Sequence, residues 1–306
     1  MIRNLFRRQR ERVERTWGEE NIWTAGDIRH WLQHPLIQTR LHSFTADASS
    51  CNRYEYFINH YLKDRLPVER ALTLGSGNGE LERGLCHYNF AKEHVGIDIS
   101  SDAMRKAQES AVAAGHRHIV YREGELNSIR LEPEHYDVVF GVSSIHHVEK
   151  LEHLFEQVRL ALKPGGYLFM DEYIGPNRFQ WTDEQLRLMN DALAELPDSL
   201  KQSVSKRGET KHQVIRKTVA DVTRSDPSEA VRSSEIMTLL PKYFRIVEFK
   251  GYGGGLIHEL LYDIAGNFKE ENAGSLERLQ ELCKREDELM AAGKLGHDFA
   301  VIIAST

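Results

Sequence analysis

Between residues 68 and 173, short apolar runs alternate with stretches of helical period. "RALTLGSG" reads as a buried strand entering a glycine loop, with a helix around 79–88 after it. "EHVGIDIS" is a second strand that ends in Asp98. "SDAMRKAQESAVAAG" is a helix with a Ser/Asp cap at its start and Gly115 at its stop. "HIVYREGEL" and "YDVVFGVSS" are a third and a fourth strand. "LEHLFEQVRLALKPGG" is a helix closed by Pro-Gly-Gly, and "YLFMDEY" is a fifth strand. Strands alternating with helices predict parallel β-α-β units with right-handed crossovers.

The flanks follow other patterns. Residues 1–66 read as a helical extension, clearest where Tyr54, Phe57, Ile58, Tyr61 and Leu62 recur at helical spacing. Ser49 or Ser50 is placed to cap that helix, and Pro67 to end it. Residues 174–232 read as polar helices with a loop or hinge near "SKRGETKH". After residue 233 come a helix and strand in "SEIMTLLPKYFRIVEFKGY", two more helices, and a last strand, "HDFAVIIAS". The expected organisation is an α/β core over 67–173 and 233–306, with 174–232 inserted as a helical lid. Inserted after a strand's carboxyl end, the lid lies where open α/β sheets bind ligands.

The glycine loop narrows the chemistry. A P-loop needs Lys-Ser/Thr after its last glycine, but Glu80 and Leu81 follow Gly79. A dinucleotide loop needs a glycine where Glu80 stands, and Glu80 and Glu82 in the first helical turn would repel a pyrophosphate. A cofactor with a positive centre and no phosphate fits better, and S-adenosylmethionine (SAM) is one. Asp98, about 20 residues beyond the loop, is placed to accept from ribose hydroxyls. Glu125 is placed to accept from an adenine amine, with Ile99 and Leu126 on either side of the ring.

Composition and charge set outer limits. The net charge of −6 gives no reason to expect a nucleic-acid partner. The three cysteines are far apart and form no C-x-x-C pair, which fits a reducing, cytoplasmic setting. No apolar run approaches the ~20 residues that span a bilayer. Residues 1–16 are rich in arginine and read as a solvated helix, with peripheral membrane contact as the alternative.

"LTLGSGNGELERGL", "VGIDIS", "REGELN", "YDVVFGVSSIHHVEKLEHLF" and "LKPGGYLFMDEY" together resemble, in order, the motifs of class I SAM-dependent methyltransferases. The resemblance covers about 68–173. It implies a Rossmann-like seven-stranded sheet, mostly parallel, whose last strand, here "HDFAVIIAS", is antiparallel. It implies SAM as cofactor, S-adenosylhomocysteine as product, and contacts from Gly75, Ser76, Gly77, Asp98, Ile99, Glu125 and Leu126. Glu125 departs from the family's more usual Asp. The wider layout resembles bacterial enzymes of glycan or natural-product assembly.

The acceptor is expected beyond the fourth and fifth strands. The tetrad of amino-methylating DNA enzymes and the Pro-Cys of cytosine methylation are both missing, a second point against nucleic acid. His146 and His147 end the fourth strand, and adjacent residues there are not expected to face the same way. Either one is a general base, His147 preferred, or one packs on the sheet while the other lines the cofactor pocket. Glu172 and Tyr173 are placed to bind or deprotonate a hydroxyl, and Arg178 to hold an anion. His258 follows the glycines at 253–255 and is a further acceptor-side residue. Phe179 and Trp181 stack on a ring or pack the lid. Asp171 and Glu172 alternate in direction, so no metal is expected. The basic run from Lys201 to Arg224 is a solvated face or a recruiter of an anionic acceptor. The chain thus reads as a methyltransferase for a hydroxyl of a small molecule or glycan. The alternatives are a natural-product N- or C-methyltransferase, or a SAM-binding module without catalysis.

Overall fold

The computed structural model describes residues 27–269 and 271–306, so the expectations for residues 1–16 lie outside the described residues. Seven strands form one sheet: β1 (Val68–Leu74), β2 (Ala91–Asp98), β3 (Ile119–Glu123), β4 (Tyr136–Val142), β5 (Leu162–Tyr173), β6 (Arg245–Gly253) and β7 (Phe299–Ser305). Their order is β3-β2-β1-β4-β5-β7-β6. β1 pairs in parallel with β2 and β4, β2 with β3, and β4 with β5. β7 runs antiparallel to both β5 and β6. This is the Rossmann-like sheet with an inverted last strand that the motifs imply.

Alternation along each strand splits the interior into two layers. Ala71, Val138, Phe140, Phe169, Val301 and Ile303 face one layer. Leu72, Leu74, Val139, Leu168, Met170 and Ile302 face the other. Both faces are covered, so the central strands read as continuous apolar runs. Each fully buried side chain of this size contributes about 1.5–3 kcal/mol.

The helices Pro35–Thr45 and Arg53–Phe57 lie on the first layer, where Phe57 meets Phe169 at 5.1 Å between ring centres. The second helix is capped not by Ser49 or Ser50 but by Asn52, whose side chain accepts from the N–H groups of Tyr54 and Glu55. A full turn of Ile58–Leu62 continues it.

The segment after β5 is less helical than its polar pattern suggests. Asp183–Ala194 is a helix with a Thr182/Gln185 capping box, and Val219–Ser225 is capped by Thr218. Between them, Gln202 and Thr210 form an isolated bridge around Gly208, whose φ of 88° closes the turn. No helix among the described residues is long and apolar enough to cross a membrane.

Candidate functional site

β1 delivers the glycine loop to the carboxyl end of the sheet. Gly75 and Gly77 hold φ of 67° and 51°, a region that L side chains rarely adopt. A side chain on Gly75 would collide with Ser144, whereas at Gly77 it would meet open space. The backbone at Gly77 is therefore exposed to close approach by a ligand. Its N–H donates to Asp98 Oδ2 at 3.0 Å, and the N–H of Ser100 donates to Oδ1 at 2.9 Å. A carboxylate has about four acceptor sites, so Asp98 keeps lone pairs for two hydroxyls. Burial raises its carboxyl above the ordinary value, against the pull of those N–H groups. Ser76 N–H donates to Ile97 O at 3.0 Å, which ties the loop to β2.

Glu125 lies just past β3 and is half-buried, as are Ile99 and Leu126. Its Oε1 accepts from the backbone and side-chain amides of Asn127 at 2.9 and 2.8 Å. Asn127 in turn accepts from the N–H groups of Glu149 and Lys150, which joins this loop to the helix after β4. An open backbone at Gly77, a ribose-competent carboxylate and a half-buried acid beyond β3 fit SAM.

Glu82 sits in the first turn of the helix that follows the loop, 1 % exposed. Neither carboxyl oxygen has a hydrogen-bond partner among the described residues. The nearby Thr73 hydroxyl is engaged with His94 and that of Tyr121 with Gly79 O. Burial pushes the Glu82 carboxyl up to about 7.

The residues expected on the acceptor side gather at the ends of β4 and β5. Glu172 is fully buried. Its Oε1 accepts the N–H groups of Ser144 and Ile145, each at 2.6 Å, and its Oε2 lies 2.7 Å from His146 Nδ1. It therefore orients His146 rather than reaching outward. The two histidines stand in a 3-10 turn, Ile145–His147, not in extended chain. The expected opposite orientation is thus replaced by a shared one: the rings lie 4.2 Å apart and both meet the segment 226–231. His146 Nε2 is 3.6 Å from Glu229 Oε1. His147 Nδ1 is 3.1 Å from Ser228 Oγ and 3.8 Å from Asp226 Oδ2. The N–H of Val231 closes the contact by donating to His146 O. Burial opposes charge on His146, but Glu172 outweighs it and its pKa is raised; burial and neighbouring His146 lower that of His147.

Tyr173 is buried, donates to Pro176 O at 3.0 Å and has its pKa raised by burial. Arg178 adopts a φ of 54°, and its Nη1 donates to Glu229 O at 2.9 Å. It lines an open hollow of about 640 Å³ with Ile174, Asn177, Ser234 and Asp298. His258 is enclosed by Trp31, Tyr173, Phe179, Trp181 and Phe299. Its buried Nδ1 has no hydrogen-bond partner among the described residues, and burial holds its pKa well below the usual value. Phe179 and Trp181 stack on each other at 5.5 Å. The glycines before His258 are pinned: Glu286 Oε1 accepts the N–H groups of Gly254, Leu256 and Ile257.

Several cations of the run 201–224 are taken up locally. Arg216 pairs with Asp183, Arg224 with Asp221 and Lys201 with Asp198, and Lys211 donates to the carbonyls of Glu259 and Tyr262. Sequence reading missed several partners at the site. Arg53 forms an ion pair with Asp171 at 2.5 Å, and Asp171 also accepts from the Tyr252 hydroxyl at 2.7 Å. Asp226 and Glu229 lie in a stretch read only as polar helix and carried no signal of their own.

Residues 72–170 match a family model described as a methyltransferase domain. A sterol 24-C-methyltransferase of Candida albicans is 25% identical over 49% of this chain and 39% of its own length. A ubiquinone biosynthesis O-methyltransferase of Leptothrix cholodnii is 28% identical over 33% of this chain and 43% of its own. The chain thus spans about two fifths of these relatives. A structure of Haemonchus contortus phosphoethanolamine N-methyltransferase 2 with SAM is 16% identical, covers 88% of this chain and 56% of that one, and has a TM-score of 0.49. These names differ in the methylated atom: carbon, oxygen and nitrogen. Ordered motifs, sheet and family model agree: the chain carries a class I SAM-dependent methyltransferase domain, and SAM is its cofactor.

Proposed function

We propose that the chain transfers a methyl group to a hydroxyl oxygen of a small molecule or glycan, with His146 as the base. One observation carries this reading: Glu172 Oε2 holds His146 Nδ1 at 2.7 Å, while Nε2 looks out toward the segment 226–231. A carboxylate on Nδ1 favours the tautomer with its proton there, which leaves the Nε2 lone pair for an incoming hydroxyl. Bound SAM supplies an already activated methyl group. What remains for the chain is to bind the acceptor, orient it and take its proton. Gly77 and Asp98 hold the cofactor, and Glu125, Ile99 and Leu126 surround its far end.

The base role goes to His146 rather than His147 because Glu172 Oε2 holds the His146 ring at 2.7 Å, whereas His147 Nδ1 lies 3.1 Å from a hydroxyl, Ser228 Oγ. His258 and Arg178 contribute to the acceptor side, His258 through its unpartnered nitrogen and Arg178 through the hollow it lines. The test is methyl transfer from labelled SAM to a panel of hydroxyl, carboxylate and amine acceptors, with SAM binding followed by calorimetry. Transfer to a hydroxyl that is lost in His146→Ala, with SAM binding retained, is the expected result. SAM binding without transfer to any acceptor would favour a non-catalytic module.

A further inference from the structure

We propose that His146, His147 and Glu229 form a binding site for one divalent transition-metal ion, Zn²⁺ foremost, and that its occupancy switches off methyl transfer. Each residue offers one ligand atom, and these atoms lie within 4.8 Å of one another. His146 Nε2 and Glu229 Oε1 are 3.6 Å apart. A tetrahedral zinc with bonds of about 2.0–2.2 Å sets its ligand atoms about 3.4 Å apart. A shift of a few tenths of an ångström therefore brings this pair to ligating distance. Two histidines and one glutamate make a known three-ligand zinc composition that leaves one position open.

The surroundings are those of a metal histidine. A ligating imidazole usually donates its other N–H to a carboxylate, which fixes ring and tautomer. Glu172 Oε2 does this for His146 Nδ1 at 2.7 Å. On the far side, Asp226 Oδ2 is 3.8 Å from His147 Nδ1, close enough to support that ring or fill the open position. This departs from the expectation of no metal, whose reason was the alternating direction of Asp171 and Glu172; neither of those is a ligand here. Two imidazoles select against Mg²⁺ and Ca²⁺, which take oxygen ligands.

The effect on activity rests on the proposed base role of His146. A nitrogen lone pair committed to a metal cannot accept a hydroxyl proton. The ion would also fasten the segment 226–231 to the end of β4. Binding itself does not depend on that role.

The experiment uses chelator-treated full-length protein titrated with ZnCl₂ by calorimetry, with Co²⁺ absorption reporting the ligand geometry. The expected result is one ion per chain, no heat from MgCl₂, and at least tenfold weaker binding in Glu229→Gln and in His147→Ala. Glu229 is half-buried on a surface segment, so that variant is expected to keep the wild-type circular dichroism. Methyl transfer should fall as zinc reaches one equivalent and return with EDTA. No zinc binding, or binding untouched by both substitutions, overturns the site. Binding that leaves turnover unchanged or raises it keeps the site and overturns His146 as the base.

Discussion

Glu172 and His146 are locked together at the carboxyl ends of neighbouring strands, 2.7 Å from Oε2 to Nδ1. The other oxygen, Oε1, is fixed by the N–H groups of Ser144 and Ile145. In Glu172→Gln the side-chain oxygen would keep those N–H donors, and its NH₂ would face Nδ1. That arrangement requires Nδ1 to accept and Nε2 to carry the proton, so Nε2 no longer serves as a base. Turnover should fall by about 100-fold or more. SAM affinity by calorimetry should stay within a few-fold, and an equal loss in both would mean a merely structural glutamate.

Asp98 is expected to govern cofactor affinity rather than turnover. Asp98→Asn keeps an acceptor for Gly77 N–H but loses the charge that strengthens bonds to a ribose. Hydrogen bonds to charged groups contribute about 1.5–3 kcal/mol, which corresponds to roughly 10- to 100-fold in SAM dissociation constant. Saturating SAM should restore most of the wild-type rate.

Glu82 makes stability depend on pH. Its folded value of about 7 lies above its ordinary 4.5, so the folded chain holds this proton longer than the unfolded chain. The stability it confers is full below about 4.5, declines as pH rises toward 7, and is level above that. The interval corresponds to roughly 3 kcal/mol. Glu82→Gln should remove the decline, so that urea midpoints of variant and wild type diverge between pH 5 and pH 8 in favour of the variant. Parallel curves at both values would show that Glu82 is ionised in the folded state.

Glu286 is the anchor of the turn before His258. It is fully buried, accepts three backbone N–H groups through Oε1, and pairs with Arg40 through Oε2 at 2.9 Å. Glu286→Ala would take from Arg40 its buried carboxylate partner, leaving the half-exposed Asp287 and the Tyr252 carbonyl, and would leave the turn with unpaired donors. The loss should be about 3–5 kcal/mol in chemical denaturation. Glu286→Gln, which still accepts the N–H groups, should lose less.

The parts of the molecule legible in the sequence are those determined by neighbours in the chain. The strands of the core, the glycine loop and the Ser100 cap all follow from residues within a few positions. The inverted last strand came from resemblance, since no local pattern sets strand direction. What escaped depends on distant packing or local competition. Asn52 takes the cap because its amide oxygen reaches two N–H groups at once. The histidines share an orientation because the strand gives way to a 3-10 turn. Asp226 and Glu229 reach them from some 80 residues away, a distance no periodicity spans. The loop expected near 205–212 is present, with backbone bonds made in turns and to Asp263, but residues 213–218 beyond it, read as part of a polar helix, are not helical.

The segment 226–231 covers the end of β4 although it enters the chain only after β5. In the proposed function, the cofactor contacts come from residues 75–126, whereas the cover over His146 and His147 comes from a separate stretch of sequence. On that proposal, substitutions between residues 174 and 232 are expected to change what is methylated while the glycine loop and Asp98 stay untouched. One cofactor-binding core can in this way serve a succession of different acceptors, with specificity rewritten in a single insertion.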